Sequence, residues 1–350
     1  MSTRRKSSEQ PPTAAERAAF SQNLLARNAK PLWERTMSMG PGSDAIPAIW
    51  RYRDMRPELL RAAELVTTEE AERRVLMLEN PGLPGSTYIL TSIYSGLQII
   101  LPGEIARAHR HSTNAMRFII EGCGAYSSVA GERVMMRPGD FVLTPYWSWH
   151  DHGHVGTQPV IWLDALDNPM VKMFGAMFRE NYPGETQPVT QAPDESAIRF
   201  GAHLLPVDYK PGAASSPLML YPYDRSRETL DKLARLGPVH PAHGVKLRYA
   251  NPASGGYPFP TMAVFIQWLP ASFVGAEYRA TDGTVFCAVE GRGEIAFGSE
   301  KFAFEPGDVF AAPPWVPYQL STSSECILFS YSDRAAQEAL GFWREAPAKG

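Results

Sequence analysis

Apolar residues in this chain occur mostly in short runs that glycine and proline interrupt, a pattern that predicts a fold dominated by β-strands. The strand-rich part begins at residues 73–77, and its first half runs to about residue 167. Helical spacing of apolar residues predicts helices at residues 14–28, 57–65, 228–236 and 333–345. The pattern therefore predicts an all-β core with a few flanking helices.

Three histidines in the first strand-rich half have a spacing typical of a metal site. His109 and His111 are two residues apart, and residues i and i+2 of a strand point to the same face, so both side chains can project inward. His150 follows the glycine turn and strand at residues 139–145, which places a third imidazole on a neighbouring strand. A single inward histidine is as often a hydrogen-bonded core residue, but three in this frame predict a mononuclear metal site.

Two short motifs of the first half recur in the second half. Residues 120–124 (IEGCG) are repeated at 289–293 (VEGRG), and residues 138–142 (PGDFV) at 306–310 (PGDVF). When the copies are aligned, His109, His111 and His150 correspond to Tyr278, Ala280 and Tyr318. The repeat predicts two related β-domains, of which the second keeps the framework and lacks the metal ligands.

The repeat divides the chain into four predicted regions. Residues 1–13 are polar and contain proline, and we expect a disordered tail there. Residues 14–180 hold the N-terminal helices and the metal-binding β-domain. Residues 181–235 begin with a stretch rich in Pro, Thr, Gln and Gly and connect the halves, and residues 236–350 form the second β-domain, without metal ligands, and a C-terminal helix.

Charge and hydropathy argue against two classes of partner. The net charge is -3, and the only basic run is the short Arg4-Arg5-Lys6, so nucleic acid and anionic membranes are poor candidates. The sequence has no run of the ~18 or more apolar residues that a membrane span needs, and its first thirty residues lack a signal-peptide core. We therefore expect a cytoplasmic protein.

The motifs around the histidines resemble the two conserved motifs of the cupin β-barrel and are similar, in more detail, to gentisate and salicylate 1,2-dioxygenases. The motifs are AHRH at 108–111, RFIIEG at 117–122, GDFVLTP at 139–145, WHDHG at 149–153 and WLD at 162–164. Similarity also extends to RRVLMLENP at 73–81 and SYSDR at 330–334. The resemblance covers most of the chain and implies a bicupin, two double-stranded β-helix (jelly-roll) barrels with flanking N-terminal and C-terminal helices.

The chain departs from the usual cupin pattern at one ligand. Cupins commonly carry a glutamate four or five positions after the second histidine, where this sequence has Ala115 and Met116. Three histidines on an octahedral metal would leave about three positions open for substrate and dioxygen. A four-ligand site of the oxalate-degrading type is therefore disfavoured.

The resemblance implies an iron(II)-dependent ring-cleaving dioxygenase with one Fe(2+) per chain in the N-terminal barrel, assembled as a homotetramer. Its substrates would be dioxygen and a 2-hydroxybenzoate, either gentisate or a 5-substituted salicylate such as 5-nitrosalicylate. Both oxygen atoms would be inserted into the substrate, and the ring bond between the carboxyl-bearing and hydroxyl-bearing carbons would be cleaved. Two alternatives remain open: a non-oxygenase cupin enzyme such as an isomerase or decarboxylase, and a metal-binding cupin without turnover.

Arg117 is the predicted anchor of the substrate carboxylate. It lies at an even offset from His109 and His111, so an unbroken strand would turn it to the same inner face. The alternative is a structural ion pair with an acid such as Glu121 or Asp140.

The remaining site predictions follow mainly from the family resemblance. His152 would hydrogen-bond the substrate hydroxyl or help take its proton, unless it is an exposed loop residue. Gln98 and Asp164 would form a polar pair near oxygen and substrate, with Asp164 orienting a histidine, unless both satisfy strand-end backbone groups. Arg73 and Tyr94 would line the pocket as an anion guide and an aromatic wall.

Two ambiguities remain at the level of sequence. Arg74 competes with Arg73, because a slip of one residue in a strand exchanges its two faces. His203, His240 and His243 lie outside both barrel motifs, and the proline and glycine around the last two predict a loop and not a metal site.

Overall fold

A computed structural model describes residues 12–202, 204–210 and 214–346 of the chain. Most of the predicted tail and His203 lie outside the described residues. The chain divides into two compact units, Met1–Pro41 and Gly42–Gly350. In the first unit, helix α1 begins with a capping box in which the Glu16 carboxylate accepts from Thr13 N at 2.7 Å, while Thr13 Oγ1 accepts from Glu16 N at 3.2 Å.

The described residues form seven α-helices and twenty-two strands. The helices are α1 (Ala14–Leu25), α2 (Tyr52–Leu65), α3 (Thr68–Ala71), α4 (Asn168–Met173), α5 (Glu195–Phe200), α6 (Tyr223–Ala234) and α7 (Arg334–Ala339). The strands up to the end of the first barrel are β1 (Ala48–Trp50), β2 (Arg74–Met77), β3 (Tyr94–Ile100), β4 (Ile105–His111), β5 (Ala115–Glu121), β6 (Ala125–Val129), β7 (Glu132–Met135), β8 (Phe141–Thr144), β9 (His150–His154), β10 (Val160–Leu166) and β11 (Arg179–Asn181). The others are β12 (Leu220–Tyr221), β13 (Val245–Arg248), β14 (Ala263–Leu269), β15 (Arg279–Ala280), β16 (Thr284–Glu290), β17 (Gly293–Phe297), β18 (Glu300–Phe304), β19 (Val309–Ala312), β20 (Gln319–Thr322), β21 (Cys326–Ser332) and β22 (Glu345–Ala346).

Two antiparallel sheets form each barrel. In the first barrel a six-stranded sheet has the order β12-β8-β5-β10-β3-β2 and faces a five-stranded sheet of order β11-β4-β9-β6-β7. In the second barrel the order β1-β19-β16-β21-β14-β13 repeats the first arrangement, and β18-β17-β20 forms the smaller sheet. The strand-dominated, two-barrel prediction is confirmed. None of the helices in the described part of the chain is long and apolar enough to cross a membrane.

One continuous apolar core joins the two barrels. The rings of Phe118 in the first barrel and Phe329 in the second stack with their centroids 4.0 Å apart, and both side chains are almost fully buried. This contact lies between the two six-stranded sheets, which turn their outer faces toward each other. The two repeats therefore share their hydrophobic stabilisation.

The segment that precedes each barrel pairs with the other barrel. Strand β1 precedes the first barrel but pairs with β19 of the second, and β12 precedes the second barrel but pairs with β8 of the first. Each exchanged strand covers a sheet edge. The predicted ranges 14–180, 181–235 and 236–350 stay a prediction, and residues 42–350 form one compact unit.

The repeated glycine and acid motifs anchor two equivalent helices. Asp308 Oδ1 accepts from Tyr52 N at 2.8 Å where α2 begins, and Asp140 Oδ1 accepts from Tyr223 N at 2.9 Å where α6 begins. The tyrosine hydroxyls then donate to acids of the other repeated motif, at Glu121 and Glu290 respectively. The conserved spacing of the repeat thus fixes how the two barrels are joined.

Three predicted helices have different limits in the structure. Helix α2 begins at Tyr52, five residues before the predicted start at Pro57, so this proline lies inside the helix. Helix α6 likewise begins earlier than predicted, at Tyr223. Helix α7 ends at Ala339, because Gly341 has a φ of +75° and the chain then turns to pair β22 with β15.

Candidate metal centre

Strands β4 and β9 bring the three predicted histidines together. His109 and His150 are direct partners across these strands, and their ring centroids are 4.4 Å apart. The His111 ring lies 4.8 Å from that of His150 and 5.4 Å from that of His109. One potential ligand atom from each residue lies within 4.8 Å of the others. The i, i+2 spacing thus placed two imidazoles on one face, and sheet pairing added the third.

Backbone carbonyls orient two of these rings. His111 Nδ1 lies 2.9 Å from the carbonyl of Thr113, and His150 Nδ1 lies 2.9 Å from that of Ser148. A proton on each Nδ1 leaves Nε2 as the free donor atom. His150 Nε2 is buried and has no hydrogen-bond partner among the described residues, as expected for an atom that holds a metal.

Burial also keeps the imidazoles neutral. Desolvation by burial lowers the pKa of His109 to about 2 and that of His111 to about 4. Nearby cations such as Arg73 and Arg117 lower both pKa values further. The pKa of His150 is lowered well below its usual value for the same reason. All three rings therefore offer lone pairs at neutral pH, and this donor set fits a divalent transition metal.

A cavity of about 420 Å³ lies beside the triad, a size typical of sites for small molecules. Besides the three histidines, five other predicted site residues line it: Arg73, Tyr94, Gln98, Arg117 and Asp164. Tyr94 and Gln98 come from β3, whose register places Gln98 opposite Trp162 of β10. Apolar residues complete the wall, among them Val75, Ala115, Leu166, Met177 and Phe178.

Arg117 lies in the cavity for a different reason from the one predicted. The strand is not unbroken, because β4 ends at His111 and β5 begins at Ala115 after a turn. Arg117 reaches the cavity from β5, where it is 3% exposed and donates to Thr144 Oγ1 at 2.6 Å. The even offset from the histidines therefore predicted the correct location through an incorrect strand assignment.

The acid beside Arg117 is Asp164, at 3.5 Å between Nε and Oδ1. The alternative partners are engaged elsewhere: Glu121 accepts from Arg56, and Asp140 accepts from the backbone N–H of Tyr223. Asp164 also accepts from Trp162 Nε1 at 3.1 Å. Asp164 makes no hydrogen bond to a histidine among the described residues, and backbone carbonyls orient His111 and His150 in place of the predicted carboxylate.

The cavity carries a positive charge that its own residues do not balance. Arg73 and Arg117 supply two guanidinium groups, and Asp164 supplies one carboxylate. Burial and the nearby Arg117 lower the pKa of Arg73 to about 9, and burial raises the pKa of Asp164 to about 6 against the opposing effect of Arg117. At the mouth, Glu72 and Arg179 neutralise each other at 2.7 Å. Such a site favours an anionic ligand.

Strand β2 resolves the ambiguity between two adjacent arginines. Arg73 precedes the strand and lines the cavity, where Nη2 donates to the carbonyl of Arg107 at 3.3 Å. Arg74 faces away, pairs with Glu104 and donates to the carbonyl of Val66 at 3.1 Å. Only Arg73 is therefore placed to meet a ligand beside the triad.

His152 is a buried strand residue and not an exposed loop histidine. It lies on β9, fully buried, with its ring centroid 5.9 Å from those of His150 and Trp162. Neither ring nitrogen has a hydrogen-bond partner among the described residues, and burial lowers its pKa well below the usual value. The cavity wall is formed without it, so His152 lies behind the triad.

The sequence reasoning missed the groups that hold the ligands in place. The carbonyls of Thr113 and Ser148 lie in the turns on either side of the histidine strands, and no side-chain pattern marks a carbonyl. Phe178 was also missed; its ring packs against Trp147 with the centroids 4.6 Å apart and closes one side of the cavity. It comes from the segment after α4, far from the motifs in sequence.

Comparison with known proteins extends the likeness over both barrels. A family model described as a cupin domain matches residues 96–166. The chain is 46% identical over 341 residues to the gentisate 1,2-dioxygenase 1 of Aquipseudomonas alcaligenes, covering 97% of this chain and 98% of that protein. It is 32% identical to a 5-aminosalicylate 1,2-dioxygenase of Comamonas sp, covering 93% of this chain and 89% of that protein.

Solved structures agree with the sequence comparison. A salicylate 1,2-dioxygenase from Pseudaminobacter salicylatoxidans superposes with a TM-score of 0.90 at 32% identity, covering 96% of this chain and 99% of that one. A mutant of the same enzyme, solved in complex with gentisate, gives a TM-score of 0.90 over 98% of both chains at 32% identity. The two-barrel arrangement and its strand order are therefore shared by proteins of known structure.

Proposed function

Since the chain belongs to the gentisate 1,2-dioxygenase family of ring-cleaving dioxygenases, we propose that its substrate is gentisate and that its metal is iron(II). The predicted family is thereby confirmed. The observation that carries the proposal is the buried triad of His109, His111 and His150 beside a cationic cavity. An aromatic ortho-hydroxy acid combines a metal-chelating pair of oxygens with the negative charge that this cavity favours.

The triad would hold one Fe(2+) through three neutral imidazoles. When bound, the ion would supply open coordination positions and a path by which electrons pass from the aromatic substrate to dioxygen. Ala115 and Met116 stand where other cupins carry a glutamate; Ala115 lines the cavity and Met116 is fully buried in the apolar core. A fourth protein ligand is thus missing from that position, which supports a site that also takes substrate and dioxygen.

Arg117 would bind the substrate carboxylate. It is buried, already charged, and held in place by Thr144 and Asp164, so little side-chain freedom is lost on binding. Arg73 would add a second positive charge on the same side and guide the anion into the cavity. Asp164 acts here through Arg117, as the group that positions the guanidinium.

Tyr94 and Gln98 would contact the ring and its substituents. Both lie on β3 and line the cavity, and Tyr94 presents an aromatic face together with a hydroxyl group. Gln98 brings both a donor and an acceptor to the side where dioxygen and substrate would meet. The contact with the substrate hydroxyl predicted for His152 is not part of this proposal, because His152 lies behind the triad and does not line the cavity.

We favour gentisate over the substituted salicylates as the substrate because sequence identity is higher to a gentisate enzyme. Identity to the gentisate enzyme of Aquipseudomonas alcaligenes is 46%, against 32% to the 5-aminosalicylate enzyme and 29% over 47% of the chain to a 5-nitrosalicylic acid 1,2-dioxygenase. The proposed reaction inserts both oxygen atoms and breaks the bond between the carboxyl-bearing and hydroxyl-bearing carbons.

Oxygen uptake by anaerobically iron-loaded protein tests this proposal. Gentisate, salicylate, 5-aminosalicylate, 5-nitrosalicylate and 1-hydroxy-2-naphthoate are compared at equal iron content. We expect one O₂ consumed per gentisate and the highest kcat/KM for this ring. A higher value for another ring would overturn the substrate while leaving the enzyme class, and no uptake with any ring at one iron per chain would overturn the function.

We also propose a homotetrameric, cytoplasmic enzyme, and both proposals rest on the family resemblance. Sedimentation equilibrium of the iron-loaded protein tests the assembly: a mass of four chains is expected, and a monomer or dimer at micromolar concentration would contradict it. Cell fractionation tests the location, with recovery in the cytoplasmic fraction as the expected result.

A further inference from the structure

The second barrel contains a cavity of about 730 Å³ at the place that corresponds to the metal centre of the first. Tyr278 and Tyr318, the counterparts of His109 and His150, both line it. These tyrosines pair through a β-bridge, just as the two histidines are partners across β4 and β9. The second barrel has therefore kept the cavity of the first and carries aromatic rings in place of two of its three metal ligands.

A lysine without a partner faces this cavity. Lys246 lies on β13, and its ammonium group stands 4.6 Å above the centroid of the Phe265 ring and 5.9 Å from that of Phe286. No hydrogen bond or ion pair to this ammonium occurs among the described residues. The ammonium therefore keeps unsatisfied N–H donors over the ring faces, although Asp282 is close enough to raise the pKa of Lys246 against the lowering effect of burial.

The acids of the cavity wall form no direct ion pair with Lys246 among the described residues. Asp282 accepts from Trp343 Nε1 at 2.8 Å, and Glu345 accepts from the Tyr278 hydroxyl at 3.0 Å. The charged side chains that line the cavity are Lys246, Arg248, Arg334, Asp282 and Glu345. Arg334 is already paired with Glu338 at 2.7 Å, so the wall has no net charge to balance, and an anionic group would be recognised by the Lys246 ammonium itself.

The rest of the wall is rich in rings. The aromatic and imidazole side chains in it are His240, His243, Tyr257, Phe265, Tyr278 and Tyr318. The histidines belong to a tight turn closed by the His240–Gly244 bridge, which confirms the loop predicted for them. His243 packs edge-on against Tyr278 with the centroids 4.4 Å apart, and its Nδ1 is buried without a hydrogen-bond partner among the described residues.

We propose that the second barrel is a metal-free binding site for a small aromatic carboxylate, separate from the metal centre. The carboxylate pairs with the Lys246 ammonium, and the ring lies among Phe265, Tyr278 and Tyr318. His243 Nδ1 offers one further polar contact for a ring substituent. The aromatic rings beside Lys246 distinguish this site from one for inorganic phosphate, which has no apolar body to bury.

Calorimetric titration of the iron-loaded, anaerobic protein with benzoate tests the site. Benzoate lacks the ortho hydroxyl that completes chelation, so the second barrel can be followed with little competition from the metal centre. The variant Lys246→Met removes the charge at similar volume, Lys246→Arg keeps the charge, and Arg117→Met removes the anion partner in the first barrel.

We expect a benzoate isotherm that persists in Arg117→Met and Lys246→Arg and weakens at least tenfold in Lys246→Met. An isotherm unchanged in Lys246→Met, or one abolished by Arg117→Met, would overturn the proposal, as would no binding to the wild-type protein up to about 10 mM benzoate. Circular dichroism and iron content of each variant establish that it is folded.

Titrations with acetate and inorganic phosphate separate the two parts of the proposal. Burial of the ring predicts that acetate binds at least tenfold more weakly than benzoate at the Lys246-dependent site. Equal affinity for acetate, or tighter binding of phosphate, would mean a site for a bare anion and would contradict the aromatic assignment.

Discussion

Arg117 and Asp164 are direct partners across strands β5 and β10, and their side chains lie 3.5 Å apart in the wall of the metal-site cavity. The pairing register therefore sets the charge of the cavity. Asp164 offsets only one of the two guanidinium groups, since Arg73 lines the same wall. The charge left over is what a carboxylate substrate would neutralise.

Replacing Arg117 by Met should weaken substrate binding and leave the metal in place. Loss of a buried, charge-assisted pair corresponds to roughly 2 to 4 kcal/mol, or about a 30- to 900-fold increase in substrate Kd. Anaerobic titration of iron-loaded protein with gentisate measures this. Arg74→Met is the matched control: Arg74 pairs with Glu104 outside the cavity, so its Kd should stay close to the wild-type value. Equal effects of the two variants would contradict the anchor role.

Substrate binding should depend on pH through Asp164. Burial raises the pKa of this carboxyl to about 6, so it is ionised above that pH and neutral below it. Protonation removes the negative charge beside Arg117 and makes the cavity more positive, so Kd for gentisate should fall several-fold from about pH 7.5 to about pH 5.5. The Asp164→Asn variant should lack this change. A pH dependence identical in both proteins would assign the titration to another group.

Each of His109→Ala, His111→Ala and His150→Ala should lose bound iron and activity together, because two imidazoles cannot hold the ion against solvent at the same affinity. Tyr318→Phe is the control from the second barrel, where the tyrosine stands at the position of His150, and its iron content should equal that of the wild type. Metal analysis after gel filtration gives the result. Full iron retention in all three histidine variants would disprove the site.

Gly139→Ala should destabilise the junction between the barrels. Gly139 has a φ of +84°, and an added Cβ would overlap the ring of Tyr223, which the neighbouring Asp140 anchors. Backbone strain and overpacking together correspond to about 2–5 kcal/mol of unfolding free energy. Gly103→Ala is the control, because Gly103 has nearly the same φ, +83°, and no atom lies within 4 Å of the added Cβ. This variant should lose only the backbone contribution, about 1–2 kcal/mol of unfolding free energy. Urea denaturation measures the unfolding free energy of both variants. Equal losses of stability would show that overlap with Tyr223 contributes nothing.

Much of the centre was predictable from local sequence. Side chains two residues apart in a β-strand point to the same face, so His109 and His111 share a face regardless of the surrounding sequence. The repeated motifs likewise predicted two barrels, and the substitutions Tyr278, Ala280 and Tyr318 predicted which barrel lacks the ligands. These inferences needed only backbone geometry and the chemistry of the side chains.

Other features depend on pairing between distant segments. Local periodicity does not tell which of Arg73 and Arg74 faces the cavity, and the pairing of β2 with β3 decides it. Periodicity also does not predict the turn that separates His111 from Ala115. The partner of Arg117 is set by the register of β5 on β10, which the periodicity of either strand alone leaves undetermined.

The sequence by itself determined the strand-rich fold, the two repeats and the identity of the three histidines, because these follow from periodicity and residue chemistry within a few positions. Only the tertiary structure decided the exchange of β1 and β12 between barrels, the carbonyls that orient the histidines, and the cavity around Lys246. Those features arise from contacts between residues far apart in the chain, whose geometry is set by packing of the whole molecule.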